Sequence, residues 1–288
     1  MVEPLRDRPA DLLFNLVIFR CYLNWHSSMS LLGLQRCEGF DRAVFDAKLR
    51  EIRGTLGKLS SAAYNVGSFD AFREADRCMP SDSEGVKPTR AAAMFGHLAP
   101  QMASVMESIL QRKDPTFTYE TITNLRGVGR FLGWQVCLDL GYWNPAVYNE
   151  SIHVEVGPGA LEGLTWLFQD TGGLSAVECV KHLDKVQTAW FDKIGVDEAQ
   201  RELLFGSMPA PPMQQDANKP TGPLNLMAIE GCLCEGNKYF RVHYNRGFGR
   251  FKQKYVPHTG ADERYLADYA VMKRVLAESW SRTIGGGA

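Results

Sequence analysis

The stretch Asn124-Leu125-Arg126-Gly127-Val128-Gly129-Arg130-Phe131 decides how this chain is read. A short helical pattern, Tyr119 to Asn124, precedes it, and a longer one, Phe131 to Leu140, follows. Two glycines around one β-branched residue between two helices are the pattern of a helix-hairpin-helix turn that binds DNA. Glycine tolerates positive φ and carries no side chain, so such a turn can press backbone N–H groups against a phosphate. A contact of that kind reads the nucleic-acid backbone and not its sequence. The alternative is a helix C-cap glycine followed by a second glycine that permits close packing.

Outward from the hairpin, nearly every periodic segment is helical. Leu12, Leu13, Leu16, Val17, Phe19 and Leu23 form a wide apolar face, with Arg20 and Asn24 four apart on a common side. Further helices are expected over Phe40–Ser61, Thr89–Gln111, Ala160–Phe168, Ser175–Ile194 and Asp262–Ser281. Extended character is confined to Val147–Val156 and Tyr239–Tyr244. Met79–Thr89 and Met208–Leu224, the latter with five prolines, read as loops. One helical unit over residues 1–283 is expected, with a hairpin motif over about 119–142 and a flexible tail at 284–288.

Composition limits the function classes. A hydrophobic content of 45% in 288 residues is that of a globular protein, and no solenoid period is visible. The formal net charge of −1 gives nucleic-acid binding no global support, so that role needs a local basic surface. Tyr239–Tyr255 offers one: Arg241, Arg246, Arg250, Lys252 and Lys254 alternate with aromatic residues and no acid interrupts them. An exposed basic loop without a ligand is the competing reading. The seven cysteines are scattered, form no C-x-x-C pair and suit a reducing cytoplasm; no metal-ligand spacing joins the six histidines. The N-terminus lacks a signal-peptide plan, and its apolar run is too short and polar to span a bilayer.

Three clusters carry candidate chemistry. Glu150 and Asp139 follow the hairpin; by spacing Glu150 is the carboxylate for a base-processing site, whereas Asp139 can equally be a helix-end carboxylate bonded to backbone or arginine. Gly157-Pro158-Gly159 opens an apolar helix whose first N–H groups suit a phosphate or pyrophosphate, unless it is a tight turn with proline at the first helical position. Ile229–Arg241 holds Glu230 and Glu235 as acid/base candidates and Lys238 and Arg241 as phosphate ligands, or else a solvated polar helix.

In this order the clusters resemble the alpha-glutamyl/putrescinyl thymine pyrophosphorylase family, the amino acid:DNA transferases of bacteriophage DNA hypermodification. The likeness runs through Asn15…Arg20…Asn24, Ala63-Tyr64…Gly67, Gly127-Val128-Gly129…Trp134-Gln135…Asp139-Leu140-Gly141-Tyr142, Gly157-Pro158-Gly159-Ala160…Gly163 and Ile229-Glu230…Cys234-Glu235…Lys238-Tyr239. The related helical domain of 5-hydroxymethyldeoxyuridine DNA kinases shares much of it, while the absence of a Gly-rich Walker loop speaks against a kinase fusion. Two positions depart from the family: Gly236-Asn237 stands for Phe-Asp, removing a carboxylate, and Trp134 stands for Tyr.

The resemblance implies an all-α, DNA glycosylase-like orthogonal helical bundle with long loops. It also implies a reaction on double-stranded DNA in which an amino acid or amine displaces pyrophosphate from 5-pyrophosphoryloxymethyluracil, in a bacterial host cytoplasm and with no membrane. Gly127, Val128, Gly129 and Arg130, helped by Arg246, Arg250 and Lys252, would hold DNA. Gly157, Gly159, Lys238 and Arg241 would favour the leaving pyrophosphate, and Glu150, Glu230, Glu235 or Asp139 would handle the nucleophile's proton. Arg20 would clamp an amino-acid carboxylate beside Asn24, Trp134 and Gln135. No cofactor is required; Mg²⁺ on the pyrophosphate is compatible, though no ligand spacing demands it. A helix-hairpin-helix glycosylase and a non-catalytic module that binds modified DNA are the competing classes.

Overall fold

Helix-forming residues, broken by proline and glycine, produce the architecture seen in a computed structural model that describes residues 5–21, 31–56, 59, 67–78, 86–151, 153–201 and 224–243. The fold is all-α, and no strand occurs among the described residues. The α-helices are α1 (Pro9–Cys21), α2 (Arg42–Leu56), α3 (Val86–Leu98), α4 (Met102–Arg112), α5 (Pro115–Thr123), α6 (Arg130–Trp143), α7 (Pro158–Leu167), α8 (Ala176–Lys193), the single-turn α9 (Glu198–Arg201) and α10 (Leu226–His243). Two 3₁₀ segments, Gly67–Cys78 and Ala99–Gln101, complete the set. The chain divides into two compact units, Met1–Asn149 and Glu150–Ala288.

In the first unit α1 is apolar nearly all round. Leu12, Leu13, Phe14, Leu16, Val17, Ile18 and Cys21 are all buried, which is the signature of a core helix. It packs on α4 and α6, while α2 and the Gly67–Cys78 segment cover α3. Phe14, Phe40, Phe45 and Phe95 form edge-on and tilted ring pairs 5.1–6.1 Å apart between these elements. Asn15, buried within this helix, replaces a backbone partner: its amide donates to the Gln35 carbonyl at 2.7 Å and accepts the Gln35 N–H at 2.8 Å. In the second unit α7 and α8 pack on α10.

Several expectations are corrected. Tyr239–His243 is the last part of α10 and not extended, because the helical run from Leu226 carries the β-favouring Tyr and Phe with it. Val147–Val156 forms no strand among its described residues. Thr89–Gln111 is two helices: Pro100 lacks an N–H and its ring clashes with the preceding turn, so Ala99–Gln101 tightens to 3₁₀. Val86–Thr89, read as loop, is already helical, with Pro88 tolerated in the first turn. The Gly67–Cys78 segment was not expected at all. The helix at 262–281, the tail and residues 208–223 of the proline-rich stretch lie outside the described residues.

Ser175 and Glu178 make a complete capping box at the start of α8, and the Ser175 contacts hold the Glu178 carboxyl below its ordinary range. Cys21 and Cys137 are buried, and burial pushes both thiols well up, as suits cysteines that serve as small apolar residues.

Candidate functional site

Three constellations place the candidate residues, two in the first unit and one in the second. The hairpin joins α5 to α6. Asp114 caps α5 by accepting the Phe117 N–H at 2.8 Å, and α5 ends at Thr123. The turn closes with a Val128 N–H to Leu125 carbonyl bond of 2.9 Å, and Leu125 and Val128 are buried beneath it. Gly127 has φ +87°, so this position needs glycine. Gly129 does not: it is the extended N-cap of α6 (φ −73°, ψ 171°), and a Cβ there would meet open space. The opening turn of α6 leaves its first N–H groups without intrahelical acceptors, beside an exposed Arg130. Such a surface suits an anion.

At the other end of α6, Gln135 and Asp139 lie one turn apart and grip Arg20 from the last turn of α1. The Arg20 Nε and Nη2 donate to the two Asp139 oxygens at 2.5 Å each, and Nη1 donates to Gln135 Oε1 at 2.8 Å. Asp139 thus takes the arginine-bonded alternative, and the fork of Arg20 is engaged inside the protein. Burial raises the Asp139 pKa by more than Arg20 lowers it. Trp134, expected at the substrate, is wholly buried and packs on Phe131 at 5.9 Å. Asn24 lies outside the described residues.

This grip carries a testable consequence. Arg20→Met is expected to cost about 2–4 kcal/mol, because a largely buried carboxylate loses its cation. A carboxyl whose folded pKa is raised contributes stability that is present below its unfolded pKa and is lost as pH rises through the folded value. The cost of Arg20→Met should therefore shrink in acidic buffer, which urea unfolding across pH measures. A variant of wild-type stability would remove the structural role and leave Arg20 open to a ligand.

In the second unit the carboxylates gather where helices begin. Gly157 is the N-cap of α7 and Pro158 its first residue, so the tight-turn reading holds for the proline. The Gly157 N–H is donated to Glu230 Oε1 at 3.1 Å: the anion at this helix start is a side chain of α10. Glu230 is buried, and burial raises its pKa against the opposing effects of the Gly157 bond and Lys238. Asn225 opens α10 by accepting the Ala228 N–H at 2.7 Å, and its amide donates to Glu150 Oε1 at 2.6 Å. Glu150 is also buried, so two protected carboxylates flank the openings of α7 and α10.

The other charged candidates sit further along α10. Glu235 is exposed and paired with Lys238. Arg241 reaches Glu162 at 3.2 Å, and Asn237 completes that group by donating to Glu162 at 2.9 Å and accepting the Trp166 indole N–H at 3.0 Å. An aspartate at 237 would face the Glu162 carboxylate, so the amide fits the neighbour it has. Gly159 serves packing: a Cβ there would lie 2.6 Å from Cys234 Sγ. Arg246, Arg250 and Lys252 lie outside the described residues. Sequence reasoning missed Asn225, although an Asn directly before an apolar helical run is an N-cap signal. It also missed the Glu162–Asn237 bond, which no local pattern announces. No three His, Cys, Asp or Glu side chains are grouped to hold a metal among the described residues.

Set beside known proteins, residues 2–247 match the family described as 5-hmdU DNA kinase, helical domain. The chain belongs to this family. A 5-hmdU DNA kinase of Bacillus phage SP10 is 27% identical over 147 residues, which are 47% of this chain and 20% of that protein. The chain therefore spans about a fifth of that relative's length. No solved structure matches. Membership of the 5-hmdU DNA kinase helical-domain family relates the chain to DNA modification at 5-hydroxymethyluracil, and no described helix is long and apolar enough to cross a membrane.

Proposed function

We propose that this protein is a DNA base-hypermodification transferase, which replaces the pyrophosphate of 5-pyrophosphoryloxymethyluracil in DNA with an amino acid or amine. The observation that carries the reading is Glu230, a buried carboxylate with a raised pKa at the opening of α7, within a chain of the 5-hmdU DNA kinase helical-domain family. A base with a pKa nearer neutrality can take the proton of an ammonium nucleophile better than a surface carboxylate can. The nucleophile's nitrogen forms a bond to the exocyclic methylene carbon, the carbon–oxygen bond to pyrophosphate breaks, and pyrophosphate leaves with the electron pair. The proton passes to Glu230 and then to water. The hairpin supplies sequence-independent grip on the DNA backbone, and the target base must leave the stack to expose its methylene.

Glu150 is the second carboxylate of this reading, held by Asn225. Lys238 and Arg241 are its anion-facing cations, each already balanced by a carboxylate of the same unit, so pyrophosphate would exchange with Glu235 or Glu162. Incubation of DNA carrying the pyrophosphorylated base with glycine, serine, glutamate or putrescine tests the proposal. Mass spectrometry of the nucleosides should find an amine adduct, with pyrophosphate released only when nucleophile is present. Free base and an abasic site would replace the proposal with a glycosylase; binding without turnover would replace it with a modified-DNA-binding module.

A further inference from the structure

We infer that Arg126 is a positioning residue that tethers the DNA-facing hairpin to the Gly67–Cys78 segment, and that it does not itself hold phosphate; the role rests on the hairpin's reading as a DNA contact. A half-exposed arginine directly before Gly127-Val128-Gly129 invites the opposite assignment. Its guanidinium, however, turns back onto the protein. Nη2 donates to the Ala71 carbonyl at 2.6 Å and to Glu74 Oε1 at 2.6 Å, and the guanidinium carbon stands 4.4 Å over the Phe72 ring.

The platform beneath is well fixed. Phe72 is buried at a break in the 3₁₀ segment (φ −120°, ψ 29°) and packs on His97 of α3 at 5.7 Å. The break turns the Phe72 ring, the Ala71 carbonyl and the Glu74 carboxylate toward one guanidinium. A planar, forked cation can stack and donate at once, which a lysine ammonium cannot. Leu125 and Val128 anchor the hairpin from below, and Arg126 fixes it from the side. Glu74 also balances the Arg126 charge, which weakens its pull on distant phosphates.

Two measurements on the full chain test the tether. Hydrogen exchange of the free protein should show faster exchange of the amides at 125–131 in Arg126→Ala and in Phe72→Leu; unchanged exchange overturns the inference without reference to DNA. Titration of a short fluorescein-labelled duplex over a range of salt should then show affinity reduced by about tenfold in Arg126→Ala. Arg126→Lys should not restore it. Glu74→Ala, which removes a negative charge and would favour DNA on charge alone, should weaken binding too, and all these variants should keep the wild-type salt slope.

If Arg126→Ala flattens the log–log slope by about 0.9 and Arg126→Lys restores affinity, Arg126 is a phosphate ligand and the inference falls. Wild-type affinity in Arg126→Ala, with Gly127→Ala impaired, overturns the tether alone. A wild-type protein that does not bind the duplex, or a Gly127→Ala variant that binds normally, overturns the DNA reading of the hairpin and with it the role given to Arg126.

Discussion

Glu230→Gln is expected to lower the rate of amine transfer by roughly 10²- to 10⁴-fold while affinity for DNA stays near that of wild type. The substitution keeps side-chain volume and an oxygen that can accept the Gly157 N–H, so α7 and α10 should remain joined; only the capacity to take a proton is lost. The pH profile gives the second readout. Burial raises the Glu230 pKa, and a base acts when deprotonated, so the wild-type rate should climb with pH through a value above the usual glutamate range and then level off. The glutamine variant should lack that ascending limb. Unchanged turnover would make Glu150 the carboxylate to test, since it is the other buried acid near a helix opening among the described residues of this unit.

Gly163→Ala should be among the most damaging single-methyl changes in the second unit. A Cβ at this position would lie 2.3 Å from the Leu233 carbonyl oxygen and 2.9 Å from its carbon. Alanine is ordinarily preferred to glycine inside a helix by about 1 kcal/mol, so a favourable propensity term is opposed by a collision with backbone that no rotamer relieves. The expected cost is about 3 kcal/mol, at the upper end for overpacking, and the second unit should melt roughly 6–12 °C lower. Gly159→Ala meets the Cys234 sulfur instead, an atom that can rotate or be removed. Its milder defect should be relieved in Gly159→Ala/Cys234→Ala, whereas truncating the Leu233 side chain should not rescue Gly163→Ala. Thermal melts of the four variants separate a side-chain obstacle from a backbone one; equal rescue in both pairs would refute the distinction.

What could be read in the sequence was mainly what is local. The Gly127-Val128-Gly129 hairpin follows from glycine's conformational range and two flanking helical patterns, and the helix from Ser175 from its apolar period, although its Ser175/Glu178 cap, three apart, went unread. Pro100 also announces the break between α3 and α4, yet apolar periodicity on both sides overrode it in the reading. The Gly67–Cys78 segment was missed for a different reason: its apolar side rests on a few residues three apart, Phe69, Phe72 and Ala75, set among charged ones, and its shape depends on docking to α3. Tyr239–His243 was misread because Tyr, Phe and Val favour strands in isolation, while the thirteen earlier residues of α10 had already set the helical phase.

The candidate site was legible as residue types and not as partnerships. Arg20 and Asp139 are 119 positions apart, Gly157 and Glu230 are 73, and nothing in either neighbourhood tells which charge meets which. The same separation explains why Gly157-Pro158-Gly159 looked like a vacant anion cradle. Its first N–H was answered from α10, by a residue proposed from the sequence for another task.

The burial of α1 on nearly every side has a consequence for how the chain is made. Gln35, Phe40 and Phe95 can meet α1 early, but its main helical neighbours α4 and α6 begin at Met102 and Arg130, so a nascent chain emerging from the ribosome carries this apolar cylinder only partly covered until Trp143 has been synthesised. Contacts so distant in sequence form slowly, and uncovered apolar surface during that interval favours aggregation. Yield of soluble protein should accordingly depend on translation speed and holdase chaperones through the first unit, well before any part of the second has been made.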